Sequence, residues 1–319
     1  MNGLLDPTLE FIPAEDAGEP AGRPWVRRPG ARIDLHCHSS FSDERIRYLP
    51  GLPFNPLLEP EGVYDLAKRR GMDFVTLTDH DTIDGCKALL DRRGPLPDFI
   101  FGEEVSVAFP EDGTVVHVNV YDIDESQHRE LQRLRGSVYA LTDYLRSIDK
   151  LFVLNHLTWT RQHRALCKRQ IEAMLERFDV FEGLNGTRSY AHNAFVWAAT
   201  RGRGKVLVAG SDSHTNRVGT TYTLSRGSTA GELLRNIRAG LAQPCGAFGT
   251  PEKLREDVWL VLSRNIERRL LAASSAWERI ACRVVQRVGR AFYPLACRGY
   301  QSRQNELIRE FEQALLACG

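Results

Sequence analysis

No apolar run in the sequence approaches the ~20 residues that a membrane-spanning helix needs. The seven cysteines are odd in number, scattered, and contain no C-x-x-C pair. That pattern speaks against a disulfide scaffold and a thiolate zinc site, and it suits a reducing compartment. Net charge is nearly absent: 42 Lys and Arg face 41 Asp and Glu, leaving +1. Whole-molecule electrostatics therefore disfavour long nucleic acid and a membrane surface as general partners. There is no G-x-S-x-G elbow, internal repeat or low-complexity tract. Gly202-Arg203-Gly204-Lys205 makes a poor phosphate loop, because it precedes a strand and lacks Ser or Thr after Lys205. The first thirty residues carry Asp6, Glu10, Glu15, Asp16, Glu19 and several prolines without an apolar core. They do not read as a signal peptide, and the expected location is cytoplasmic.

What is present is ordinary globular material: 319 residues, 42% apolar and 26% charged. Residues 1–31 read as a Pro/Gly-rich arm. Seven short apolar runs then predict strands over 32–36, 74–78, 99–104, 115–121, 151–155, 180–184 and 206–210. Helical spacing predicts helices over 61–70, 125–150, 162–178, 190–201 and 230–241. The alternation gives an α/β fold over 32–249, with a closed or nearly closed barrel favoured over an open sheet.

From 250 to 319 the strand pattern stops, and two or three amphipathic helices are expected. This extension is basic: between Arg264 and Arg303 there are nine arginines against Glu267 and Glu278. Arg279, Arg283 and Arg287 repeat opposite Trp277, Ile280, Val284 and Val288. The pattern suits a packed helix with a solvated Arg face, and also a platform for an anionic substrate, partner or membrane surface through 264–303.

Chemistry collects at the strand ends. His36 and His38 are two apart, so on extended chain their side chains share one face and Cys37 takes the other. Thr78-Asp79-His80-Asp81 ends the second strand, and Gly102-Glu103-Glu104-Val105-Ser106 follows the third. His117 interrupts the fourth, Asn155-His156 ends the fifth, and Gly210-Ser211-Asp212-Ser213-His214 ends the seventh. Six of the nine histidines fall in these places. In an α/β barrel such strand ends converge on one face. Converging imidazoles and carboxylates suit Zn²⁺, Mn²⁺ or Fe²⁺, with Mg²⁺ also admissible. Their number exceeds the needs of one ion, so two or three divalent ions are expected, which suits hydrolytic displacement.

These motifs together resemble the PHP (polymerase and histidinol phosphatase) family over roughly residues 32–248. The resemblance implies a distorted seven-stranded (βα)7 barrel, three metal ions and phosphate-ester hydrolysis. Carried over by position, it implies His36, His38, Asp43, His80, Glu104, His117, His156, Asp212 and His214 as ligands, with Glu104 bridging. Asp43 stands where some members have His, and Leu157 replaces the expected Pro after His156. Glu104 is preferred over Glu103 because Val105-Ser106 follows it as in the motif.

Asp79, Glu104 and His214 are the candidate catalytic residues, Asp79 doubling as a candidate helix N-cap. Arg161, Arg188 and Arg217 are candidate phosphate binders, and the proline-bearing 44–60 stretch is a candidate lid. The expected activity is phosphomonoester hydrolysis of a small metabolite or nucleotide. The alternatives are an exonuclease-type phosphodiesterase on short oligonucleotides and a non-catalytic metal-binding module. An amidohydrolase uses similar ligands, but Glu104 and His117 favour the phosphoesterase.

Overall fold

The computed structural model describes residues 30–43 and 54–316. The expected arm over 1–31 lies almost wholly outside the described residues, as do residues 44–53 of the candidate lid.

In chain order the elements are β1 (Ala31–Ile33), α1 (Pro60–Arg69), β2 (Val75–Leu77), α2 (Asp84–Arg93), β3 (Phe99–Ala108) and β4 (Val115–Tyr121). There follow α3 (Glu125–Leu134), α4 (Val138–Ser147), β5 (Phe152–Leu154), α5 (Lys168–Arg177), β6 (Val180–Asn185) and α6 (Tyr190–Thr200). The last are β7 (Val206–Gly210), β8 (Thr221–Ser225), α7 (Ala230–Arg238), β9 (Ala242–Gly246), α8 (Pro251–Ala272) and α9 (Ala276–Leu316).

The class is α/β, with a curled half-barrel sheet and a helical C-terminal region. Six strands make one mixed sheet in the order β2-β3-β4-β5-β6-β7. Two of its pairings, β3 with β4 and β4 with β5, are antiparallel. The distorted (βα)7 barrel of seven strands is thus seen only in part among the described residues: a curled sheet of six, with two antiparallel pairings. β1 ladders with β8, and β8 with β9, in a separate antiparallel sheet.

The segment after β1 joins the two edges of the large sheet. On one side Thr78 N donates to Cys37 O, at 2.9 Å. On the other, Asp212 N donates to His36 O at 2.6 Å and His38 N donates to Ser213 O at 3.1 Å. A side chain completes this seam: Asp34 accepts from His36 N and Ser211 N through Oδ1, and from Gly219 N through Oδ2. Burial pushes the Asp34 carboxyl up to about 6 against the pull of these donors. By capturing backbone donors that a ladder would use, Asp34 replaces regular strand pairing here, which is why the expected strand over 32–36 stops at Ile33. Gly210 lets the seam close, since a Cβ there would sit 2.3 Å from His36 Cβ.

Other expectations change for local reasons. The helix expected over 125–150 is two helices, broken at Gly136, where Ser137 caps α4 by accepting from Ala140 N. β8 and β9 escape the pattern because TYTLS and AQPCG are polar and Pro-containing. α2 escapes it because DGCKALLDRR has only Gly85, Cys86 and Leu89 buried, too short a stripe to read.

The main core lies between the sheet and α3–α6, around Val105, Val107, Val118, Leu141, Met174 and Phe181. The C-terminal half of α9 joins it, with Phe311 against Phe195 at 5.7 Å between ring centroids. A second cluster of Ile33, Ile100, Tyr121, Val153 and Val208 underlies the polar strand ends.

Replacing Asp34 by Asn puts an amide against a backbone donor in a buried seam. Urea unfolding should show D34N less stable by roughly 1–3 kcal/mol, the range for leaving a buried donor unpaired. An unchanged midpoint would contradict this role.

Candidate metal centre

The strand ends bring eight of the nine expected ligands into one buried cluster. Its centre is Glu104 on β3, 1% exposed. Glu104 Oε2 lies 3.2 Å from His36 Nε2, 3.3 Å from His38 Nε2 and 3.2 Å from His80 Nδ1. Its Oε1 lies 3.1 Å from His117 Nδ1 and 3.2 Å from His156 Nε2, and accepts from Asn155 Nδ2 at 2.7 Å. Asp212 Oδ1 is 3.5 Å from His36 Nε2 and 3.4 Å from His38 Nε2. The His214 ring lies 4.6 Å from that of His38. The period-2 alternation of β3 decides which glutamate enters. Glu103 faces away and accepts or shares a hydrogen bond with His128 Nδ1 on α3, at 2.7 Å.

Four overlapping groups have ligand atoms within 4.8 Å of one another: His38, His80 and His214; His36, His38 and Glu104; His36, His156 and Asp212; and His80, Glu104 and His117. The atoms fit cations. His36 Nε2, both ring nitrogens of His38, Glu104 Oε2 and His156 Nδ1 are buried without a hydrogen bond. Leaving so many polar atoms unsatisfied is costly unless something binds them. All are nitrogen or oxygen donors of the kind that Zn²⁺, Mn²⁺ and Fe²⁺ accept.

The buried carboxylates make this a place that favours positive charge, a proton or a metal ion. Burial works against a charged His36, yet Glu104, Glu182 and Asp212 outweigh it and hold its pKa well above the usual 6.5. Burial likewise opposes a charged Glu104, and His36, His80 and His117 outweigh it, keeping the carboxylate ionised. Burial, then the nearby His214, pushes His38 down to about 4, so this ring is neutral and ready to ligate. Two of the clustered residues also adopt left-handed backbone: His156 and Asp212 have φ of 22° and 50°.

The other expected residues fall elsewhere. Asp43 is exposed and belongs to none of the four groups. Asp79 is buried and accepts from Ser39 N and Ser39 Oγ, each at 2.6 Å, which ties down the loop after His38. It is not the cap of α2, which starts after Ile83 without a side-chain cap. Arg188 reaches the cluster: its Nη2 is 3.8 Å from Asp212 Oδ2, and its Nη1 donates to Tyr300 Oη on α9 at 2.8 Å. Arg217 instead pairs with Asp257 and Glu256 on α8, at 2.9 and 2.8 Å. Arg161 is exposed. Cys37 lies in the core, its Sγ donating to Thr76 O.

Sequence reasoning missed Glu182, Asn185 and Trp159, and noted Asn155 only as the neighbour of His156. Glu182, inside the apolar run of β6, meets His36 Nδ1 at 2.8 Å and accepts from His156 N at 2.9 Å. A lone glutamate in a buried strand was the signal. Asn155 and Asn185 hold Glu104 and Glu182 respectively. Trp159 walls the cluster, 4.6 Å from the His117 ring and 5.2 Å from His156, with the Arg188 guanidinium 5.8 Å from its centroid. A broad depression of about 890 Å³ lies at the opposite strand ends, lined by Asp73, Asp98 and Arg226 among others, and holds none of these residues.

No family model matches the chain, and no curated protein matches it. Solved structures do. One neighbour is a two-domain protein from Bacteroides vulgatus named as containing a predicted PHP-like metal-dependent phosphoesterase. It is 18% identical over 71% of this chain and 68% of that one, with TM-score 0.49. A second is PsfC from Pseudomonas syringae, 18% identical over 76% and 99%, with TM-score 0.49. A third is an amidohydrolase from Chromobacterium violaceum with bound sulfate, 19% identical over 70% and 96%, with TM-score 0.41.

The two adjacent glutamates separate metal binding from packing. Replacing Glu104 by Gln should remove most bound metal, read by elemental analysis of the purified protein. Replacing Glu103 by Gln should keep the metal and lower stability by about 1–3 kcal/mol through the loosened contact to His128. Equal metal loss in both would contradict the assignment.

Proposed function

We propose that the chain is a PHP-type metal-dependent phosphoesterase acting on a small phosphorylated metabolite or nucleotide. Its cofactor would be two or three divalent ions, with Zn²⁺, Mn²⁺ or Fe²⁺ favoured by the donor set. One observation carries the reading: a buried carboxylate, Glu104, lies among five imidazoles whose ligand atoms include several with no hydrogen bond. Divalent ions in such a site supply neutralisation of phosphoryl charge and an activated water.

The chain's own residues do the rest. His36, His38, His80, Glu104, His117, His156, Asp212 and His214 would hold the ions, with Glu104 at the centre of the set. Asp43 enters the proposal through the family resemblance alone. Glu182 fixes the His36 tautomer by taking its Nδ1, as outer partners of metal-binding imidazoles do. Arg188 is the phosphate-binding cation: its side chain is largely enclosed beside Asp212, and its Nε makes no hydrogen bond. Arg217, held by two acids of α8, braces the loop after His214. Asp79 shapes the loop after His38, accepting from Ser39 N and Ser39 Oγ. Trp159 keeps water from one side of the cluster.

A single enclosed guanidinium suits one phosphoryl group. Outside the C-terminal extension there are 30 basic and 33 acidic residues, which gives a long polyanion no net attraction to that part. A cytoplasmic setting belongs to the same proposal, supported by free thiols at all six described cysteines.

The test is release of inorganic phosphate from nucleotides and sugar phosphates, beside oligonucleotide cleavage, with metal content measured in parallel. The reading expects phosphate release that a chelator stops and a divalent ion restores. Arg188→Met should raise KM for the ester by roughly tenfold, and Arg161→Met by less than about twofold. Oligonucleotide cleavage without phosphate release would replace it with a diesterase. Full metal occupancy without turnover would replace it with a binding module.

A further inference from the structure

α9 has two unlike halves. Its buried residues, Cys297, Gln304, Leu307, Ile308 and Phe311, all lie in the C-terminal half, which packs on the barrel. The N-terminal half rests on α8, where Trp259 meets Tyr293 at 5.0 Å between centroids. Pro294, which cannot donate to the helical ladder, falls between the two halves.

The outer face of the N-terminal half is apolar, and none of the described residues covers it. Trp277, Ile280, Val284, Val288, Phe292 and Leu295 are each 50–80% exposed. Their spacing of three and four places them on one side of the helix, in a stripe about 27 Å long. Leu271, at the end of α8, adds an 88% exposed side chain near the turn. A contiguous apolar ridge of this kind marks a docking face, unlike singly scattered surface leucines.

The charge beside the stripe says what fits it. Arg283, Arg287 and Arg290 run along one flank, all exposed, and no ion pair engages them among the described residues. Between Arg279 and Asn305 there is no acidic residue. The nearest, Glu278, is occupied by Ser274 N and Ser275 N in the turn. A second copy laid antiparallel on the stripe would set this flank against itself, arginine against arginine. Nucleic acid would meet the arginines but leave the tryptophan, phenylalanine and aliphatic side chains in water. An anionic lipid surface satisfies both features: acyl chains receive the apolar ridge and headgroups receive the guanidinium groups.

We propose that the N-terminal half of α9 docks the protein in the plane of an anionic membrane surface. The attachment is peripheral, since no described helix is long and apolar enough to cross a membrane. It is independent of the metal centre and of the reaction proposed for it.

The experiment is flotation of the full, metal-loaded chain with phosphatidylcholine vesicles, with and without phosphatidylglycerol. The chain should float with the anionic vesicles only and be released by high salt. Trp277→Ser with Phe292→Ser, and separately Arg283→Glu with Arg287→Glu, should each weaken binding by about tenfold or more. Metal content and circular dichroism report whether each variant folds, and the wild-type comparison decides the matter if one does not. Failure to float with either vesicle, or equal salt-independent binding to both, overturns the proposal. So does a dimer, seen by sedimentation equilibrium and lost in the Trp277/Phe292 variant, without vesicle binding. Retention of duplex DNA that depends on the arginines alone, again without vesicle binding, overturns it too.

Discussion

A carboxylate buried among imidazoles is the constraint on which the rest of the molecule is arranged. Glu104 is 1% exposed and approaches five ring nitrogens at 3.1–3.3 Å. Taking such a group from water costs several kcal/mol unless opposite charge and hydrogen bonds compensate it. Asn155 supplies one hydrogen bond, and His36 Nε2 and both ring nitrogens of His38 lie buried beside the carboxylate without one. The cluster can hold cations, and much of the surrounding structure keeps it in place.

That support comes from distant parts of the chain. The segment carrying His36 and His38 is held from both sides, by Thr78 and by the 212–213 turn, and Asp34 locks it to Ser211 and Gly219. Glu182 ties His36 to the His156 backbone across the interior. α9 comes back over the rim, where Tyr300 receives Arg188. The helical region is therefore part of the site's wall, while its outward half keeps an apolar and basic face of its own.

Much of the cluster was legible because strand alternation projects residues predictably. His36 and His38 share a face, Cys37 does not, and Glu103 and Glu104 part to opposite sides of β3. The rest was hidden for physical reasons. Glu182 looked like an isolated polar residue in an apolar strand, since its partners lie 146 and 26 residues away. Tyr300 sits on a helix whose return to the site depends on packing. β8 and β9 are too polar to announce themselves, and the β1 strand is cut short by Asp34. Asp43 was carried by resemblance alone, and its exposed position leaves it apart from the cluster.

Diffraction from metal-loaded crystals at the absorption edge of the bound ion tests the central claim most directly. The account predicts anomalous density on both sides of Glu104, one position facing His36 and His38 and another facing His117 and His156. Density confined to other parts of the chain, or none beside Glu104 in fully loaded protein, would contradict it.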